Sequence, residues 1–82
     1  MAWVTLKVEK QPEGDKVQTY IIPADIGEDV HQEVDIKAVA GGKIMEHCQV
    51  GEYYTARASW IPASGETPGH YDIEQITKQA FM

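Results

Sequence analysis

The run Tyr53-Tyr54-Thr55-Ala56-Arg57-Ala58-Ser59-Trp60-Ile61 reads as a β-strand. Side chains along a strand point alternately to its two faces. That alternation puts Tyr54, Ala56, Ala58 and Trp60 on one side, and Tyr53, Thr55, Arg57, Ser59 and Ile61 on the other. One side suits a core and the other suits water, which is the pattern of a half-buried strand. Tyr53 and Tyr54 cannot both be buried, so Tyr53 is expected at the surface beside Thr55 and Arg57. A surface tyrosine sharing a strand face with an arginine has the composition of an interface anchor.

The same period of two extends towards the N-terminus. Ala2, Val4, Leu6 and Val8 share one side, with Trp3, Thr5, Lys7 and Glu9 opposite. Gln11-Pro12-Glu13-Gly14-Asp15 supplies turn residues. Lys16 to Ile22 resumes with Val17, Thr19, Tyr20, Ile21 and Ile22, which favour strands, so the pair predicts a β-hairpin. Pro23 closes it, because proline lacks a ladder donor.

Two stretches admit two readings. Ile26, Val30, Val34 and Ala38 are spaced four apart, as on a short helix over 26–38. Val34, Ile36, Ala38 and Ala40 instead alternate with polar neighbours, which favours a strand from Glu33 to Ala40. Gly41-Gly42 then reads as a hairpin turn, and Lys43 to Val50 as a return strand with Ile44, Cys48 and Val50 facing inward. Loop residues fill 62–69, with two prolines and two glycines. Near the C-terminus, Tyr71 and Ile73 suggest a strand over 70–76. Ile73, Ile76, Ala80 and Phe81 suggest a helix over 72–81. The expected fold is a mainly β, small single-domain (1–82) antiparallel sandwich or barrel of five to six strands.

Composition bounds the function. The chain has 82 residues, 43% of them hydrophobic and 24% charged, the balance of a globular domain. At this size the core is one small cluster. Cys48 is the single cysteine, so no internal disulfide forms. No secretory signal or bilayer-spanning run is evident, and the expected location is cytoplasmic, or the host cytoplasm for a viral chain.

The net charge of −6 disfavours phosphate-backbone binding, which depends on Lys and Arg. Nearly all of it lies in one segment. Asp25, Glu28, Asp29, Glu33 and Asp35 carry five negative charges within eleven residues, uninterrupted by Lys or Arg. If Glu33 and Asp35 share a strand face, their α-carbons lie about 7 Å apart. Such a row stays solvated or meets a basic partner.

Catalytic and cofactor signals are weak. His47 and Cys48, as strand neighbours, would point to opposite faces. Cys48 is expected in the core, where a free thiol behaves as a small hydrophobe. His31, His47 and His70 are scattered, so no metal site and no cofactor is expected. Gly41-Gly42-Lys43 lacks the hydroxyl residue of a phosphate loop. The expectation is a noncatalytic protein-binding accessory or inhibitor domain, of viral or mobile-element type. It would use Asp25, Glu28, Asp29, Glu33 and Asp35, with Tyr53 and Arg57, against a basic protein. The alternatives are a subunit assembling through strand edges into an oligomer or virion component, and a barrel that binds single-stranded nucleic acid.

Overall fold

A computed structural model describes residues 2–80, which form five strands and one 3-10 turn. The strands are β1 (Ala2–Val8), β2 (Lys16–Pro23), β3 (Val30–Asp35), β4 (Tyr53–Ile61) and β5 (His70–Ala80), with the 3-10 turn at Gly42–Met45. All neighbours are antiparallel, in the order β3-β2-β1-β4-β5. The sheet curls into a half-barrel.

Alternation places the core. Val4, Leu6, Val8, Val17, Ile21, Val34, Tyr54, Ala56 and Ala58 are all buried on the inner face. Ile36, Met45 and Cys48, from the segment between β3 and β4, join the same cluster. The outer face carries Trp3, Thr5, Lys7, Tyr20, Tyr53, Thr55 and Arg57. The hairpin between β1 and β2 closes at Glu13 and Lys16, with Gly14 at a φ of +61° that favours glycine.

The half-barrel leaves β3 and β5 as its two edges, and both are engaged. The Gln32 side chain pairs with the Tyr71 backbone, accepting from its N–H (2.8 Å) and donating to its carbonyl (2.7 Å). Further along β5, the Ile76 N–H donates to the Ala40 carbonyl at 2.8 Å.

Several expectations need correction. Residues 26–38 are not a helix. Val30–Asp35 pairs with β2 from Ile21 to Lys16, and this ladder satisfies its backbone. Nor does that strand run on to Ala40. The Asp35 carboxylate accepts from the N–H groups of Lys37 (3.0 Å) and Ala38 (3.2 Å), turning the chain out of the sheet.

Gly41-Gly42 is not a hairpin turn, and Lys43 to Val50 is not a strand. A Cβ on Gly41 would overlap the Ile76 carbonyl, and one on Gly42 the Ile36 carbonyl. The glycines permit close backbone approach. Past them, Met45 and Cys48, three residues apart, are buried, while Ile44 and Val50 are exposed. The described residues therefore hold five strands rather than six.

The helix over 72–81 is overturned for 72–80, which lie in β5; Phe81 is outside the described residues. The helical spacing has a different origin. Ala58 pairs with Ile73 and Ala56 with Ile76, so three residues on β4 oppose four on β5, and the register shifts there. The bulge puts Ile73 and Ile76 on one face at a spacing of three.

Candidate functional site

The segment Ala24–Asp29, between β2 and β3, is exposed throughout. Pro23 ends β2, and the Ala24 N–H then donates to the Trp3 carbonyl at 3.2 Å. Two phenols hold the loop. The Tyr20 hydroxyl donates to the Asp29 carboxylate at 2.6 Å, and the Tyr71 hydroxyl donates to the Glu28 carbonyl at 2.9 Å. Gly27 lies against Tyr71 at a φ of +115°, where a Cβ would overlap the hydroxyl. The hydrogen bond to Asp29 is the main reason the Tyr20 phenol is raised above its ordinary value. Burial raises that of Tyr71, with the Asp29 charge adding to it.

So pinned, the loop presents Asp25, Ile26 and Glu28 to solvent. Ile26 is 66% exposed, and carboxylates flank it on both sides in sequence. Among the described residues, no Lys, Arg or His forms an ion pair with Asp25, Glu28, Asp29 or Glu33. Glu33 accepts one hydrogen bond, from the Gln18 side chain at 2.8 Å.

Asp35 differs from the other four acids. Lys16 meets it at 2.9 Å, and that hydrogen bond, followed by the Ala38 and Lys37 N–H groups, holds its carboxyl below the ordinary range. Lys16 is raised in turn, chiefly by Asp35. The run lacks basic neighbours in sequence, but strand pairing supplies one. Pairing also brings in an acid from outside the run: Glu9 lies 2.7 Å from His31 Nδ1. Local sequence carries no signal for either contact.

Tyr53 and Arg57 are on the outer face, as expected. Tyr53 is half-buried, and the Lys7 ammonium lies over its ring, 5.9 Å from the centroid. The Arg57 guanidinium lies over Trp3 at 5.4 Å. Trp3 is 48% exposed and pairs with Arg57 across β1 and β4. Trp3 also accepts from Ala24, so it joins Arg57 to the acidic loop. Tyr53 is one strand beyond Lys7, which pairs with Tyr20, which pairs with His31. The structure thus brings Arg57 to the acidic loop through Trp3 and leaves Tyr53 three strands from β3. Trp3 was the missed residue; its place on the polar side of β1 was the available signal.

Other candidate groups fall elsewhere. Cys48 is buried, and burial pushes its thiol up, away from the reactive thiolate. His47 is exposed, at the rim of an open cleft of about 570 Å³ that Gly14, Ile36, Lys37, Gly42 and Lys43 also line. That cleft contains none of the expected site residues. Among the described residues, no three His, Cys, Asp or Glu side chains are grouped to hold a metal ion, and no helix is long and apolar enough to cross a membrane.

Fold and loop together define a small all-β domain, one curled five-stranded sheet bearing a tyrosine-anchored acidic loop. Comparison with protein-family models, curated proteins and solved structures finds no match to the chain.

Proposed function

We propose that this chain is a noncatalytic protein-binding domain of the accessory or inhibitor kind, and that the loop Ala24–Asp29 meets a basic surface on its partner. One observation carries the reading. Ile26 stands exposed on a loop that two tyrosines hold in place, with Asp25, Glu28 and Asp29 around it in the chain. An apolar contact within a polar rim is the general anatomy of a protein interface. A loop already fixed loses less entropy on binding. The carboxylates would steer a basic partner and set the salt dependence. The cytoplasmic setting belongs to the same proposal.

Assembly through strand edges is the second reading. It has less support, because Gln32 and Ala40 already engage the edge groups at Tyr71 and Ile76.

The test is affinity capture from host extract with the unaltered chain, Ile26→Asp and Glu28→Lys. The reading expects a basic protein that high salt releases and that both variants retain poorly. Equal retention by all three chains refutes it.

A further inference from the structure

The middle of the sheet differs from the rest of the chain in charge. Strands β1 and β4 are paired neighbours, and together they hold Lys7 and Arg57 and no Asp or Glu. The negative charge of the chain therefore lies off these two strands. Three facing pairs cover their outer side: Trp3 with Arg57, Thr5 with Thr55, and Lys7 with Tyr53. All six side chains are exposed or half-buried, and Trp3 is 48% exposed.

Their mutual contacts place them on one surface. The Arg57 guanidinium lies 5.4 Å from the Trp3 ring centroid, and the Lys7 ammonium lies 5.9 Å from that of Tyr53. The two aromatic–cation units run in opposite directions across the strands, with the threonine pair midway between them. Four residues of strand separate the units, or about 13 Å. Among the described residues, neither Lys7 nor Arg57 forms a salt bridge.

A repeated unit of this kind suits a repeating ligand with a flat ring and a negative charge at each step. Nucleobases stack on aromatic side chains with little regard to sequence, while cations track the backbone. Hydroxyl side chains such as those of Thr5 and Thr55 hydrogen-bond phosphate oxygens. The core lies inside the curled sheet, so this face is convex. A flexible single strand follows such a face, whereas a stiff duplex does not.

We propose that the outer face of β1 and β4 binds a short stretch of single-stranded nucleic acid, with bases stacked on Trp3 and Tyr53 and phosphates at Arg57 and Lys7. Carboxylates bound the patch on the β2 side, where the Tyr20 hydroxyl opposite Lys7 holds Asp29. The net charge of −6 keeps the binding weak and confined to these two strands. The inference goes beyond the basic partner proposed for the loop, because it names a different surface and a different chemistry.

Fluorescence anisotropy of a short labelled oligothymidine, titrated with the purified chain across a salt series, tests it. Micromolar binding is expected at low salt, with log K falling against log salt at a slope of about −1.4, the value for two neutralised phosphates. Trp3→Ala and Tyr53→Ala should each weaken binding about tenfold. Trp3→Phe and Tyr53→Phe should recover most of that loss, because they keep a ring. Arg57→Gln should cut the salt slope by about half. An abasic strand of the same length should bind more weakly than oligothymidine. Circular dichroism verifies that each variant folds.

No anisotropy change at low salt, alanine variants that bind as tightly as the parent, or an abasic strand that binds as well as oligothymidine overturns the proposal. Equal binding of polyglutamate overturns it in favour of an acidic protein partner. Capture of a basic protein through Ile26, with no binding of the oligonucleotide, defeats this inference and leaves the loop reading standing.

Discussion

The side chain of Gln32 pairs with the backbone of Tyr71 as a neighbouring strand would, one hydrogen bond in each direction at 2.7 and 2.8 Å. A glutamine amide has the donor and acceptor of a peptide group. It therefore spans the gap between β3 and β5 that the curled sheet leaves open. Unpaired strand edges invite other chains, and this contact occupies part of both.

Gln32→Ala should cost about 1–3 kcal/mol, because it strands two partly buried backbone groups. Gln32→Glu keeps an acceptor for the Tyr71 N–H but sets a carboxylate oxygen against the Tyr71 carbonyl, so it should not restore the lost stability. Urea unfolding measures both, and an alanine variant as stable as the parent rules out a structural role for the pair.

Gly27→Ala should destabilise by about 1–3 kcal/mol, since it combines positive φ with a side chain driven against Tyr71. Gly14→Ala provides the control. Its φ is also positive, at +61°, but a Cβ there meets nothing. Equal losses in the two variants would show that the Tyr71 contact contributes nothing.

Burial, with help from the Glu52 carboxylate, pushes the Tyr54 phenol up to about 12 from 10.0. The folded state thus favours the neutral phenol. The associated stability is complete below pH 10 and is lost as pH rises towards 12. Tyr54→Phe should flatten this alkaline limb. Some slope should remain, because Tyr20 and Tyr71 are displaced in the same direction. Urea midpoints followed from neutral to alkaline pH give the comparison, and parallel curves contradict the assignment.

Asp35 gives the acid counterpart. Its carboxyl is lowered from 3.8, first by the hydrogen bond with Lys16 and then by two backbone N–H groups. Its contribution is present above pH 3.8 and disappears as pH falls through the lowered value. Asp35→Asn should be less stable than the parent at neutral pH, and the difference should close in acid. A constant gap would mean that the charge is irrelevant.

Cys48 should resist thiol reagents in the native state, because it is buried and its thiol is raised. Labelling by a chromogenic disulfide should become rapid only in denaturant. Immediate labelling of the folded chain would place the thiol at the surface.

For β1 and β4, the two-residue alternation and the structure agree. Residues 53–61 form a strand with those bounds, and Val4, Leu6 and Val8 are buried together. The disagreements trace to features that local patterns mimic. Ile73 and Ile76 carry helical spacing because of a bulge on β5. Gly41-Gly42 resembles a hairpin turn because close contact with Ile76 and Ile36 also demands glycine. Of the expected site, the exposure of Asp25, Glu28 and Asp29 was legible. The engagement of Asp35 by Lys16, nineteen residues away, was not.

By itself, the sequence determined which faces of β1 and β4 point inward, and where negative charge concentrates along the chain. These depend on neighbours within a few residues, through side-chain alternation and composition. Only the tertiary structure decided which acids keep their charge unpaired, that Trp3 joins Arg57 to the acidic loop, and that Gln32 bridges the two edges. Each of these relations forms between strands, where curl and register choose the partners, and no short window of sequence contains both members.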